Sequence, residues 1–220
     1  AAVLSRQLFD GNRKISFGLT GKGTDAMRIF EINTVYNSGS TGRITADLKH
    51  AVECAGGECF VAYGRGGSRE NNTLCVSSRA DLYYHALMTR LTDRTGFYSR
   101  QATKKLIRKI QEFSPDLIHL HNLHGYFCHL EVLFRFLREY GRPVVWTLHD
   151  CWAFTGHCAS FDFCGCEKWK TGCFSCPQKR DYPASDCIDA SGRNFNDKKR
   201  LFTAVENLTV VTPSEWLAGL

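Results

Sequence analysis

The chain has 220 residues, 43% hydrophobic and 23% charged, an ordinary globular composition with enough apolar residues for one large or two small domains. A net charge of +6 suits an anionic ligand or membrane surface and is too weak to argue for nucleic acid. No apolar run approaches the roughly 20 residues that span a bilayer, and the N-terminus lacks the apolar core and cleavage pattern of a signal peptide. The chain is therefore expected to be cytoplasmic, where its 11 cysteines would bind metal or stay as thiols rather than form a disulfide framework.

Residues 1–26 show no sustained period and are rich in Gly, Lys and Arg, which predicts a flexible leader or a non-native extension. The regular pattern starts at Met27 and defines one domain over 27–220. MRIFEIN (27–33) reads as a strand, and 43–56 as a helix whose buried face carries Ile44, Leu48 and Val52. GECFVAYG (57–64) reads as a strand, 79–94 and 98–113 as helices, and DLIHLH (116–121) as a strand. A helix over 126–141, a strand over 142–150, a cysteine-rich loop, a helix over 194–206 and a strand over 207–214 follow, and EWLAGL starts a last helix. Alternating helices and doubly apolar strands predict an α/β fold, a doubly wound, Rossmann-like parallel sheet. Ligands of such sheets bind beyond the carboxyl ends of the strands.

Three groups of residues lie at those ends or near them. Gly39, Ser40, Thr41 and Gly42 fall between the first strand and its helix, where free N–H groups favour an anion such as a diphosphate; a capped tight turn fits the same residues. They match neither a Walker motif nor Gly-x-Gly-x-x-Gly, and no acidic residue ends the second strand, which counts against a nicotinamide cofactor. His119 and His121 share one strand face, with His121 nearer the carboxyl end and Asn122 and His124 just beyond. His149 and Asp150 stand where a core strand runs into a polar loop; the imidazole can bind a ligand hydroxyl, and the adjacent carboxylate can orient it.

Cys158, Cys166, Cys173 and Cys176 have the spacing for a four-thiolate structural zinc site, with disulfide-paired or free thiols as the alternatives. A loop of about 40 residues is long for a compact domain, and its few aliphatic residues point to a cross-link rather than a packed core. The basic 90–113 region carries an apolar stripe of Leu106, Ile107, Ile110 and Phe113. It can lie on an anionic leaflet or pack as an ordinary helix with a solvated face.

MRIFEINTVYNSGSTGRI, DLIHLHNLHGYF, PVVWTLHDCWAFTGHC, GCEKWKTGCFSCPQ and NLTVVTPSEWLAGL together resemble the N-terminal half of retaining GT-B glycosyltransferases. The bacterial family 4 enzymes of surface-polysaccharide biosynthesis are the nearest in pattern. The resemblance implies hexosyl-type transfer from a nucleotide-sugar donor to a glycan or lipid-linked glycan acceptor. It places Gly39–Gly42 near the donor diphosphate, His149, with Asp150, at the donor sugar, and His121, Asn122 and His124 toward the acceptor. It implies no catalytic metal and no nucleic-acid partner, and a protein in the cytoplasm or peripheral on the inner face of the membrane. The family's C-terminal donor domain has no counterpart in these residues, so the 220 residues alone are expected to be inactive. A non-catalytic module, zinc-stabilised or sugar-binding, is the alternative.

Overall fold

The computed structural model describes residues 26–67 and 70–220; the leader expected over 1–26 lies outside them except for Ala26. Six strands build one sheet: β1 (Arg28–Val35), β2 (Glu58–Arg65), β3 (Thr73–Cys75), β4 (Leu117–Leu120), β5 (Val144–Thr147) and β6 (Leu208–Val211). Every pairing is parallel, in the order β3-β2-β1-β4-β5-β6. This is the strand order of the Rossmann fold, so the expected doubly wound sheet is what the chain forms.

The helices are α1 (Gly39–Cys54), α2 (Arg79–Thr92), α3 (Arg100–Phe113), α4 (Leu130–Tyr140), α5 (Ser191–Phe202) and α6 (Glu215–Ala218). On one sheet face Phe30, Ile32, Ile118, Leu120, Val144 and Trp146 meet the apolar stripes of α3, α4 and α5 in the main core. On the other face Tyr36, Cys59, Val61 and Tyr63 pack under α1. Because side chains alternate along a strand, Glu31 and Asn33 of β1 turn away from Phe30 and Ile32, and both are fully buried polar groups.

Several expectations need correction. β3 was not foreseen, since three residues are too few to show alternation. In α1 the buried positions are Gly42, Thr45 and Lys49, while Ile44 is 40% exposed. Polar contacts set that face: Asn33 Nδ2 donates to Thr45 Oγ1 at 2.9 Å, and Lys49 tucks its stem inward and pairs with Glu53 at 2.7 Å. α4 begins at Leu130 rather than 126, because Tyr126 takes a positive φ and His129 bridges to Phe97. β5 stops at Thr147, leaving His149 and Asp150 on a loop. In α3 the apolar stripe goes into the core, with Leu106 and Ile110 fully buried, so it presents no apolar face to a membrane.

The cysteine-rich loop contains two single turns of 3-10 helix, Asp162–Cys164 and Lys168–Lys170. All eleven cysteines are free thiols. Contrary to expectation the loop has a small core: Cys151, Cys158, Phe161 and Leu217 bury one another, with Phe154 and Trp169 against them. Aromatic rings supply the contact area that aliphatic side chains do not; Phe161 and Trp169 stack at 5.1 Å. The loop is pinned to the main domain through buried Asp93, whose carboxylate binds His157 Nδ1 and accepts the Ala190 N–H at 2.8 Å.

Gly156 shows how closely this loop is seated. A Cβ there would lie 2.2 Å from Ser191 O and 2.5 Å from Cys173 Cβ. Gly156→Ala is therefore expected to lose roughly 2–3 kcal/mol in denaturant unfolding, since backbone rather than a flexible side chain blocks the methyl group. A loss under about 0.5 kcal/mol would show that the loop shifts freely.

Candidate active site

The carboxyl ends of β1, β4 and β5 meet at one edge of the sheet, and the buried polar residues gather there. Glu31 and His121 are each 1% exposed. His119 of β4 and His121, one residue past the end of that strand, lie side by side with ring centroids 4.2 Å apart, as residues two apart in extended chain do. His119 Nδ1 is 3.7 Å from Glu31 Oε1, and His121 Nε2 is 3.8 Å from Glu31 Oε2. On its other side His119 Nε2 meets Thr147 Oγ1 at 2.9 Å.

His121 is held from three directions. Its ring stacks on His149 at 5.3 Å, its Nδ1 is 3.0 Å from His149 Nε2, and its carbonyl accepts the Trp146 indole N–H at 2.8 Å. Burial, then the neighbouring His119 and His149, push its pKa down to about 2, so the ring is neutral. Two neutral imidazoles sharing one hydrogen bond fix each other's tautomers: if one ring donates, the other accepts. Burial also holds His149 below its ordinary value, against the opposing charge of Asp150. Glu31 is pushed up by burial, with His119 opposing. Glu31 Oε2 and His121 Nε2 are both buried without a hydrogen-bond partner, and at 3.8 Å they are too far apart to bond each other.

The sequence grouped His149 with Asp150, and the structure separates them. Asp150 Oδ2 pairs with His124 Nε2 at 2.8 Å, while its Oδ1 accepts the Trp152 N–H at 2.9 Å. Burial raises the Asp150 pKa, but these two hydrogen bonds and the His124 and Lys198 charges outweigh it and hold the carboxyl low. His124 is in turn 3.2 Å from the Tyr182 hydroxyl. Asp150 thus orients His124, and the partner of His149 is His121. The expected acceptor-side residues divide in the same way. His121, buried against His149, lines the same shallow hollow as Asn122, His124, His149, Asp150 and Trp152, but Asn122 and His124 lie farther beyond the strand end. The Asn122 backbone is clamped by the Asn33 side chain at 3.3 Å and the Thr34 hydroxyl at 2.8 Å. Gly125 closes against that threonine: a Cβ would fall 1.9 Å from Thr34 Cγ2.

Gly39, Ser40, Thr41 and Gly42 form the first turn of α1 rather than a loop before it. The connection is only Tyr36–Ser38, with Asn37 and Gly39 at positive φ so that the chain reverses from strand to helix. Ser38 supplies no side-chain cap, which leaves first-turn N–H groups directed at the sheet edge. Glu31, Tyr182 and the buried Lys198 were not singled out from sequence. Glu31 gives no signal in a strand run, and the other two reach the site from segments 58 and 46 residues away from their partners.

Among the described residues Glu31, His119 and His121 bring three ligand-type atoms within 4.8 Å. Among the described residues no helix is long and apolar enough to cross a membrane.

The chain is 30% identical over 207 residues to a protein of Escherichia coli (strain K12) named as a colanic acid biosynthesis glycosyl transferase, WcaC. The match covers 87% of this chain and 50% of that protein, so the chain spans about half the length of this curated relative. The glycosyltransferase SnogD from Streptomyces nogalater superposes with a TM-score of 0.43 and 14% identity, over 86% of this chain and 46% of that one. That likeness is too loose to bear on the fold, which the strand order establishes by itself. The profile of Glycosyltransferase Family 4 matches residues 41–177, from the first turn of α1 through the last of the clustered cysteines, and the chain belongs to that family.

Proposed function

We propose that the protein containing this chain transfers a sugar, with retention, from a nucleotide-sugar donor to a glycan or lipid-linked acceptor in polysaccharide biosynthesis. In this reading the chain is the acceptor-side half of a GT-B fold, and a further domain supplies most of the donor contacts. The observation that carries the reading is the convergence of His149, the first turn of α1 and the Asn122–His124 segment on one sheet edge, within a family of glycosyltransferases. The relative named for colanic acid biosynthesis supports the polysaccharide context.

The roles follow from chemistry at that edge. N–H groups of the Gly39–Gly42 turn receive charge as the donor diphosphate departs, because the helix end is already oriented and needs no reorganisation. His149, fixed by His121, presents its remaining ring nitrogen to a hydroxyl of the donor sugar near the reacting carbon. Asp150 holds His124, and His124 with Asn122 faces the acceptor. The protein is read as cytoplasmic; contact with an anionic leaflet, where it occurs, rests on the charge of Arg100, Lys104 and Arg108 rather than on inserted apolar residues.

The test is turnover by the whole protein. Incubated with a panel of nucleotide sugars and a glycan or lipid-linked acceptor, it is expected to release nucleoside diphosphate in an acceptor-dependent manner and form an anomerically retained product. Inverted product would refute the retaining assignment. Absence of transfer from every donor would refute the transferase reading.

A further inference from the structure

Cys158, Cys166, Cys173 and Cys176 line one pocket in the cysteine-rich loop. The remaining thiols of the region are placed differently. Cys164 and Cys187 are exposed, and Cys151 is buried in the aromatic cluster and does not line the pocket. The spacing that singled out four cysteines in the sequence therefore selects the four that the fold turns toward a common space.

We propose that these four thiols bind one Zn2+ as a closed structural site and that the buried ammonium of Lys198 balances its charge.

Two observations beyond the spacing support this. The first is the arrangement of the sulfurs. Cys158 and Cys176 are close enough for their thiols to influence each other's protonation, and Cys173 Sγ accepts the Gly156 N–H at 3.0 Å. Backbone N–H groups directed at sulfur favour thiolate over thiol and orient it, as outer groups around a metal do. No three of the four sulfurs yet lie within 4.8 Å of one another. Binding therefore requires the other sulfurs to draw in toward Cys173, which is seated against Gly156; Cys166 and Cys176 are half-buried and lie outside the main core.

The second observation is Lys198, which comes from α5 and is 2% exposed. Its Nζ donates to Trp152 O and sits 4.1 Å over the Trp152 ring. Among the described residues no carboxylate lies within ion-pair distance of it; burial lowers its pKa to about 7, and of the groups that oppose this Cys173 and Cys158, as thiolates, come ahead of Asp150 and Asp93. An unpaired buried cation is costly by several kcal/mol. Zn2+ with four thiolates carries a net charge of about −2, which makes the lysine a counter-ion rather than an orphan. Binding displaces the four thiol protons to solvent, and no redox step is involved. Four protein ligands leave no open position, so the ion cross-links the loop and stays out of sugar transfer.

This inference is independent of the transferase reading, and so is its test. The protein is purified under reducing conditions and its zinc measured by elemental analysis, with intact mass recorded in parallel. One zinc per chain is expected in the wild type, Cys164→Ser and Cys187→Ser, and close to none in Cys173→Ser. Should Cys173→Ser fail to fold, thiol modification of the native wild type decides: four thiols must react as one zinc is released. Lys198→Met is expected to weaken zinc about tenfold or more against a competing chelator. A wild type with far less than one zinc per chain, or an intact mass showing two disulfides, overturns the site. Full zinc in Cys173→Ser overturns the ligand set, and unchanged affinity in Lys198→Met overturns the counter-charge.

Discussion

Replacing His149 by alanine in the whole protein is expected to lower kcat/KM for sugar transfer by roughly 30- to 1,000-fold, about 2–4 kcal/mol of transition-state stabilisation. The expectation rests on geometry. His149 stands just past the carboxyl end of a core strand, half-buried, with one nitrogen fixed by His121 at 3.0 Å and the other ring edge toward the hollow. A hydrogen bond made to a group that gains charge in the transition state contributes more to the rate than to binding, so kcat should fall more than KM rises. Because burial keeps His149 below its ordinary pKa of 6.5, any loss of activity through His149 protonation should set in at a lower pH than for a free imidazole. The effect should be shared with His121, which sets the tautomer of His149: His121→Phe, which keeps the ring but removes the bond, is expected to lower kcat without abolishing donor binding. Turnover of His149→Ala within threefold of wild type would remove the residue from the mechanism.

Lowering the pH from 7 to 5 is expected to cost about 2 kcal/mol of folding stability through His85 alone. His85 lies on α2 with no exposed surface. Its Nε2 accepts the Gly96 N–H at 3.0 Å, so that nitrogen carries no proton, and its Nδ1 is 2.8 Å from Ser99 Oγ. Burial, then the charge of His129, lowers its pKa to about 3, with a hydrogen bond to the Tyr126 backbone opposing. The unfolded chain takes up a proton near pH 6.5 that the folded chain refuses until about pH 3. Stability is thus fully present above pH 6.5 and falls by about 1.4 kcal/mol per unit as pH drops below it. His121 adds to the loss in the same sense, while Glu31, whose pKa is raised, works against it. Urea unfolding at pH 7, 6 and 5 measures the slope. In His85→Gln, whose amide can still accept from Gly96 and donate to Ser99, the slope between pH 6 and pH 5 should be about 1.4 kcal/mol smaller. An unchanged slope would mean that His85 titrates normally.

Both expectations depend on partners distant in sequence, and this is where the sequence stops being informative. Periodicity in MRIFEIN, GECFVAYG and RPVVWTLHD was enough for a parallel α/β sheet, because doubly buried strands cannot tolerate charged residues on either face except at a site. It did not show β3, since three residues carry no period, and it misassigned the buried face of α1. There the choice between Ile44 and Thr45 is made by the Asn33 amide bonding Thr45, a contact between different elements.

The residue types of the site were legible in the same way. His121, His149 and the Gly39–Gly42 turn could be located, because the carboxyl ends of parallel strands are where such a sheet admits ligands. Their pairings were not. Adjacency in sequence suggested that Asp150 serves His149, but successive residues leaving a strand point in different directions. The tertiary structure gives Asp150 to His124 and His149 to His121. The four cysteines were chosen by spacing alone, and the fold alone brings Lys198 from a helix more than twenty residues downstream to a buried place within electrostatic reach of Cys173 and Cys158. Local order follows from side-chain period and backbone preference, which the sequence carries directly. Burial, protonation and partnership depend on which distant segments share one volume, and packing settles that.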